Sequence, residues 1–331
     1  MKQLIECVPN FSEGQDQSTI AAIAAAIQSV EGVKLLHQDS GFAAHRTVYT
    51  FAGEVKAVME AAYRAIEVAV KKIDMRKHQG VHPRVGACDV CPFIPISGIR
   101  MEELVPLVDQ LAQRLAQDFN IPIFLYERNA SSAKRTNLAQ HRIGNYENLK
   151  NRMAKGLWEA DYGFYNARFG ACVMGARDFL IAYNINLNTK DAKIAHEIAQ
   201  DIRELGRPIG KENGKTIYQP GKLKHLKAIG WFIEEFQMAQ VSTNLINFRE
   251  TPIHEVFETT KELAKKYQVE VKGSELIGLI PKDCLLAAGN FYHNGNASEE
   301  EKIQLAVKKL GLSSLEEFNM EDRIIEFALK K

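Results

Sequence analysis

The sequence predicts a two-lobed α/β protein, and three observations lead there. At 331 residues it is longer than one hydrophobic core usually serves, since cores stop growing near roughly 250–300 residues and chains then divide. Short apolar runs of strand character alternate with segments of helical periodicity, the pattern of layered sheets and helices. The apolar content of 46% and charged content of 25% are those of an ordinary globular protein, so core material is sufficient. The boundary is expected near residue 181, giving lobes of residues 1–181 and 182–331.

The elements follow in order. Residues 4–8 form an apolar run that reads as a strand. Ile20, Ile23, Ile27 and Val30 recur at helical spacing behind a candidate N-cap at Ser18. Residues 33–36 and 47–51 read as strands on either side of a polar stretch around Gly41, which is expected to be a connection. Val58, Ala62, Ile66, Ala69 and Ile73 mark a helix, residues 88–96 a strand, Leu104 to Leu115 a helix, and residues 121–126 a strand. In the second lobe, a strand over 179–185 leads into a helix opened by Thr189. Residues 206–226, rich in Gly, Pro and Lys, read as an exposed loop. A strand over 238–248, a helix started at Thr251-Pro252, a strand near 269–271 and a last helix capped by Ser298 and Glu301 complete the chain.

A net charge of +1 removes the electrostatic argument for binding nucleic acid or a membrane surface, and points to a small substrate. Glu6, Pro9 and Asn10 interrupt any signal-peptide core, and no run of about 18 apolar residues could span a bilayer, so a cytoplasmic protein is expected. The five cysteines are odd in number and scattered, which fits a reducing compartment. Cys88 and Cys91 form a lone C-x-x-C in a strand-like stretch. Strand alternation would send the two thiols to opposite faces, so buried thiols and no metal are expected.

Candidate site residues gather in three places. His78 and His82 have the spacing of helical metal ligands, but Gly80 and Pro83 break a helix there. Pro83 also drives His82 toward extended backbone, so the run reads as a turn that displays polar side chains. His82 stands out because Arg84 follows it at the edge of a strand. Asp39, His45 and Arg46 lie around the first polar connection, which reads either as part of a cleft or as a solvated turn. The stretch DYGFYNARFG at 161–170 mixes aromatic rings with Asn166, Arg168 and two glycines, a composition suited to stacking a flat heterocycle or simply to packing on the core. No dinucleotide, phosphate-loop, zinc-protease or serine-hydrolase motif is present.

Seven segments carry a family likeness: LIECVPNFSEG at 4–14, RTVYTF at 46–51, IDMRKHQGVHPRVGACDVCPFIPISG at 73–98, GARDFLIAYNINLNT at 175–189, AIGWFIEE at 228–235, AQVSTNLINF at 239–248 and GSELIGLIP at 273–281. In this order they resemble the folate-dependent glutamate formiminotransferase family over nearly the whole chain. The resemblance implies two α/β subdomains with mixed sheets facing each other across a substrate channel, helices on the outer faces, and a homodimer. It implies transfer of a formimino group between 5-formimidoyltetrahydrofolate and L-glutamate, with the tetrahydrofolate derivative as co-substrate and no metal. The chain ends without a cyclodeaminase segment, so the stand-alone form is expected.

By position, His82 in the HPR motif matches the family's catalytic histidine, and Asp39, in a motif that faces the cleft, is expected to orient or charge-stabilise it. Asn10, Arg46 and Arg84 fall in motifs that face the substrate. The folate-contacting loop maps to Gly163, Phe164, Tyr165 and Asn166, continuing through Ala167, Arg168, Phe169 and Gly170. Family members commonly carry an acidic residue where this chain has Val81, an asparagine where it has His45, and a longer loop with a small residue where it has Phe169-Gly170. Two alternatives stay open: a glutamate formyltransferase using 5-formyltetrahydrofolate, and a non-catalytic folate-binding paralogue.

Overall fold

The computed structural model describes residues 2–42, 44–80, 82–293 and 295–330. The chain divides into two compact units, Met1–Arg177 and Asp178–Lys331.

The first unit is built on a seven-stranded mixed sheet. Strand β4 (Arg46–Glu54) lies antiparallel between β3 (Val33–Gly41) and the short pair β1 (Leu4–Cys7) and β2 (Asn10–Phe11). On their other side β1 and β2 pair antiparallel with β5 (Cys88–Ser97). Beyond it β7 (Cys172–Ala176) and β6 (Ile123–Leu125) continue in parallel. Helices α1 (Gln17–Gln28), α2 (Val55–Lys72) and α3 (Met101–Phe119) bury their apolar stripes on one face of this sheet. The opposite face, over β5 to β7, is covered by a smaller cluster that includes Leu138 of α4 (Leu138–His141) and Leu149 and Met153 of α5 (Asn145–Ala154).

The second unit carries a four-stranded sheet in the order β11 (Leu226–Ile233), β12 (Met238–Leu245), β8 (Ile181–Leu187) and β13 (Val271–Ile277). Every pairing in it is antiparallel, so the mixed character expected of both sheets belongs to the first. Alternate residues, among them Tyr183, Ile185, Val241 and Leu276, face a core shared with α6 (Ala192–Ile202), α7 (Ile253–Lys266), α8 (Lys282–Tyr292) and α9 (Glu299–Leu310). The capping box of α9 forms as its sequence implies: Ser298 accepts from the Glu301 amide, and Glu301 accepts from the Ser298 amide.

Four further sequence expectations are corrected. The N-cap of α1 is Asp16, whose carboxylate accepts from the Ser18 amide at 3.0 Å, so Ser18 lies inside the first turn. The polar stretch before Gly41 belongs to β3, because pairing with β4 satisfies its backbone whatever its side chains. The expected loop 206–226 contains a hairpin of β9 (Arg207–Glu212) and β10 (Lys215–Gln219). Asn213 at φ 49° and Gly214 at φ 77° form its two-residue turn, a combination these residue types adopt readily.

The fourth correction concerns the cysteines. Phe11 pairs with Cys88 while Asn10 pairs with Val90, so β5 bulges at Asp89 and strand alternation fails there. Cys88 and Cys91 therefore enter the same core cluster with Cys7 and Cys172, and the Cys7 and Cys91 sulfurs lie 3.6 Å apart. Burial pushes the thiols of Cys7 and Cys88 well above their ordinary values. Among the described residues no helix is long and apolar enough to cross a membrane.

Candidate active site

The site forms where three connections of the first unit meet. The turn before β5 carries His78, His82 and Arg84, and it packs against the start of β4, where His45 ends the preceding turn and Arg46 is the first strand residue. Gly80 makes this approach possible: a Cβ there would sit 2.5 Å from the Ala44 carbonyl oxygen and 2.9 Å from the His45 Cβ. His45 takes φ 50°, a left-handed conformation that asparagine, the residue the resemblance implies at this position, also adopts more easily than most. Its ring lies against that of His78, with centroids 4.3 Å apart, and its Nδ1 accepts from the Gly14 amide at 3.2 Å. Val81, the other departure in this turn, lies outside the described residues.

Two hydrogen bonds define the state of His82. Nδ1 faces the Pro83 carbonyl oxygen at 2.7 Å and must donate to it, since a carbonyl only accepts. Nε2 faces Nη1 of Arg46 at 2.5 Å, and a guanidinium only donates, so Nε2 presents a lone pair. The imidazole is neutral. Burial lowers its pKa below the ordinary histidine value, and the positive charges of Arg46 and Arg142 lower it further, against the Pro83 carbonyl and the Asp89 carboxylate.

Arg46 has an unusual setting for a guanidinium. Its Nε is buried without a partner, and among the described residues its hydrogen bond to His82 is the one it makes. Burial and the neighbouring charge of Arg142 hold its pKa below the usual guanidinium value, with Asp89 and Asp39 acting the other way. Arg142 is itself committed to Asp89. Nε donates to Asp89 Oδ2 at 3.0 Å, Nη2 donates to the same oxygen, and the Val85 amide donates to Oδ1 at 2.8 Å. Asp89 is almost fully buried at the β5 bulge.

Several expected roles change. Asp39 sits on β3 opposite Val48 and is exposed, and both ring nitrogens of His82 are already engaged. The group that orients His82 is the Pro83 carbonyl rather than Asp39. Arg84 does not present a free guanidinium. Its Nη1 and Nη2 donate to the two Glu147 carboxylate oxygens at 2.9 and 2.6 Å, and its Nε donates to His78 Nδ1 at 3.2 Å. The Asn10 side chain is buried in β2 and donates to the Val8 carbonyl at 2.9 Å.

The loop at 163–170 is tied to residues 85–87, which lead from the turn of His82 into β5. Gly170 bridges Gly86, the Ala87 amide donates to the Phe169 carbonyl at 2.7 Å, and the Ala171 amide donates to the Val85 carbonyl at 3.0 Å. At Gly170, φ is 76° and a Cβ would meet the Val85 carbonyl oxygen at 2.3 Å, so only glycine fits. The Asn166 side chain accepts from the Arg168 and Phe169 amides, each at 3.0 Å, and shapes the turn. Tyr146 donates to the Ala167 carbonyl, Arg168 caps α2 by donating to the Lys71 carbonyl at 2.7 Å, and Tyr165 packs on the cluster around Leu149. Phe169 is 1% exposed and part of the first unit's core, so its ring holds the loop and does not line a ligand site. Phe164, 79% exposed, is the free aromatic face.

Sequence reasoning missed Asp89, Arg142 and Glu147. Asp89 lies inside the C-x-x-C of a strand-like run, where nothing local marks a buried carboxylate, while Arg142 and Glu147 lie in a polar stretch without periodic signal.

A neutral histidine thus faces a guanidinium that has no carboxylate partner among the described residues, and an aromatic loop is anchored to the segment that joins this histidine to β5. The comparisons place the chain more narrowly: it belongs to the formiminotransferase family. The family's N-terminal subdomain matches residues 4–177 and the formiminotransferase domain matches residues 182–330. The chain is 46% identical over 334 residues to formimidoyltransferase-cyclodeaminase of Mus musculus, an alignment covering 99% of this chain and 60% of that protein. It is 40% identical over 294 residues to glutamate formimidoyltransferase of Streptococcus pyogenes serotype M1, with 88% and 94% covered. For the enzyme of that name from Thermoplasma acidophilum it is 38% identical over 303 residues, with 91% and 95% covered. The chain thus spans about three fifths of the mouse relative and nearly all of the two microbial ones.

Proposed function

We propose that the protein transfers a formimino group between 5-formimidoyltetrahydrofolate and L-glutamate, with His82 carrying the proton. The names of the microbial relatives support the reaction. The observation that carries the residue assignment is the neutral His82 tautomer, whose Nε2 lone pair faces a guanidinium with no carboxylate partner among the described residues.

In this scheme the glutamate amine attacks the amidine carbon of the formimino group, and the new C–N bond creates a tetrahedral centre. Nε2 of His82 takes the proton that the amine must lose. It returns that proton to N5 of the folate as the C–N5 bond breaks and the formimino group stays with glutamate. The hydrogen bonds of His82 leave Nε2 unprotonated, and burial, which lowers its pKa, favours the same form, so it is ready for the first step; such transfer contributes on the order of 10²–10⁴ in rate. Arg46 holds a substrate carboxylate, since a charge-assisted pair is what its unpaired guanidinium lacks. Phe164 offers a stacking face for the pteridine. The tetrahydrofolate derivative is a co-substrate, no metal takes part, and a cytoplasmic homodimer belongs to the same proposal.

The test is to incubate the protein with glutamate and, separately, 5-formimidoyl- and 5-formyltetrahydrofolate, and to identify products by mass. N-formimidoyl-L-glutamate from the first alone is the expected result. N-formyl-L-glutamate from the second alone would make it a formyltransferase, and no product from either would leave a folate-binding paralogue.

A further inference from the structure

We infer that Arg46 is a carboxylate-operated latch on His82: the amino-acid substrate's carboxylate draws the guanidinium away and so uncovers the basic nitrogen. The inference rests on the proposed reaction and concerns the order of events within it. Nε2, the nitrogen that must accept the amine proton, is occupied by Arg46 Nη1. Nδ1 cannot substitute for it, because it is held in its protonated form by the Pro83 carbonyl. With Arg46 in place the histidine is neutral and positioned, yet it has no lone pair to offer.

The same contact is weakly held from the side of Arg46. It gives one hydrogen bond to a neutral acceptor while Nε stays buried and unpaired. Among the described residues the charged groups that act most on the two side chains are Arg142 and Asp89, which pair with each other, and Asp39 on β3, which is exposed; Glu13 lies beyond, against His45. A carboxylate that enters beside Arg46 offers a full negative charge and two acceptor oxygens that match the guanidinium fork, where His82 offers one uncharged lone pair. The guanidinium turns to the carboxylate, and Nε2 is freed next to the amine of the same molecule. An amine without a carboxylate does not release the latch, and water reaching the site meets a capped base.

The probe is glutarate, which has both carboxylates of glutamate and no amine, so it binds without reacting. The ¹⁵N and ¹H resonances of the His82 ring, assigned against His82→Gln, are followed through a pH titration with and without glutarate, while calorimetry measures its binding. Glutarate is expected to shift the Nε2 resonance and raise the His82 pKa, because a cation leaves and an anion arrives. In Arg46→Gln the free protein should already show the higher pKa, the glutarate response should vanish, and KM for glutamate should rise on the order of 10- to 100-fold. Arg46→Lys restores charge without the planar fork and should recover part of the KM. Unchanged resonances of His78 and His141 certify the fold of each variant. Glutarate that binds without moving the His82 resonances or pKa overturns the latch, and so does a failure of glutarate to bind. Neither result touches the assignment of the reaction, which the product identification decides separately.

Discussion

Two histidines of the first unit share one physical circumstance and differ in everything that follows from it. His82 and His141 are both buried enough for desolvation to depress their pKa values, His141 to about 4. At His141 the protein satisfies both ring nitrogens: Nε2 donates to the Arg135 carbonyl at 2.7 Å, and Nδ1 accepts from the Trp158 indole N–H at 3.1 Å. The surrounding cations are used as well, since Arg152 donates to the carbonyls of His141, Ile143 and Gln140. At His82 the neighbour is a guanidinium with an unsatisfied nitrogen. Burial alone therefore does not make a site. What distinguishes His82 is that its partner keeps a buried nitrogen without an acceptor among the described residues.

The sharpest way to break this contrast is His82→Gln, which keeps polarity and approximate size but cannot take up a proton. Turnover should fall by about two to four orders of magnitude while folding and folate binding persist. Steady-state kinetics beside a folate titration would measure it, and near-normal turnover would sink the proton-carrier role.

Arg84 belongs with the satisfied groups, so its loss should act on stability. In Arg84→Ala the His78 Nδ1 loses its donor, and the Glu147 carboxylate loses the buried side of a bidentate pair. The expected loss is about 2–3 kcal/mol, toward the low end for a buried ion pair because Glu147 is largely exposed. Urea denaturation would measure it. A stable variant with only KM raised would return Arg84 to direct substrate binding.

The pH dependence of stability separates the two histidines more finely. The folded-state pKa of His141 lies below the unfolded value of about 6.5, so the folded state disfavours the proton. The associated stability is present above pH 6.5 and is lost as pH falls toward 4. By pH 5 the loss should be about 2 kcal/mol, and it should be smaller in His141→Gln. Parallel denaturation curves at pH 7.5 and 5 would show it; equal slopes with pH in the two proteins would contradict the assignment.

The smallest effect is expected at Phe164. Because this ring is exposed and supports nothing in the core, Phe164→Ala should leave the melting temperature unchanged. It should weaken folate binding by the roughly 0.5–1.5 kcal/mol of an aromatic stack. Phe169→Ala should do the reverse, destabilising the unit by about 3–5 kcal/mol through a core cavity. Calorimetry on both variants would compare the two aromatic residues of one loop.

Much of the fold was written locally in the chain. The stripe of Val58, Ala62, Ile66 and Ala69 in α2, the Ser298–Glu301 cap and the Thr251-Pro252 start each act within a few residues. Propensity and periodicity alone therefore reveal them. The Asn213-Gly214 turn was equally local and was hidden by the lysines and prolines around it. The turn that displays His82 was legible too, because Gly80 and Pro83 forbid a helix there. Tertiary structure decided who meets whom. The bulge at Asp89 turns Cys88 and Cys91 to one face, Arg142 reaches Asp89, Glu147 takes Arg84, and Arg46 is left over to meet His82. These pairings join residues between 36 and 63 positions apart, and each is settled by competition among arginines for a few carboxylates. Local sequence names the competitors, but the outcome depends on distances that exist only once the strands have paired.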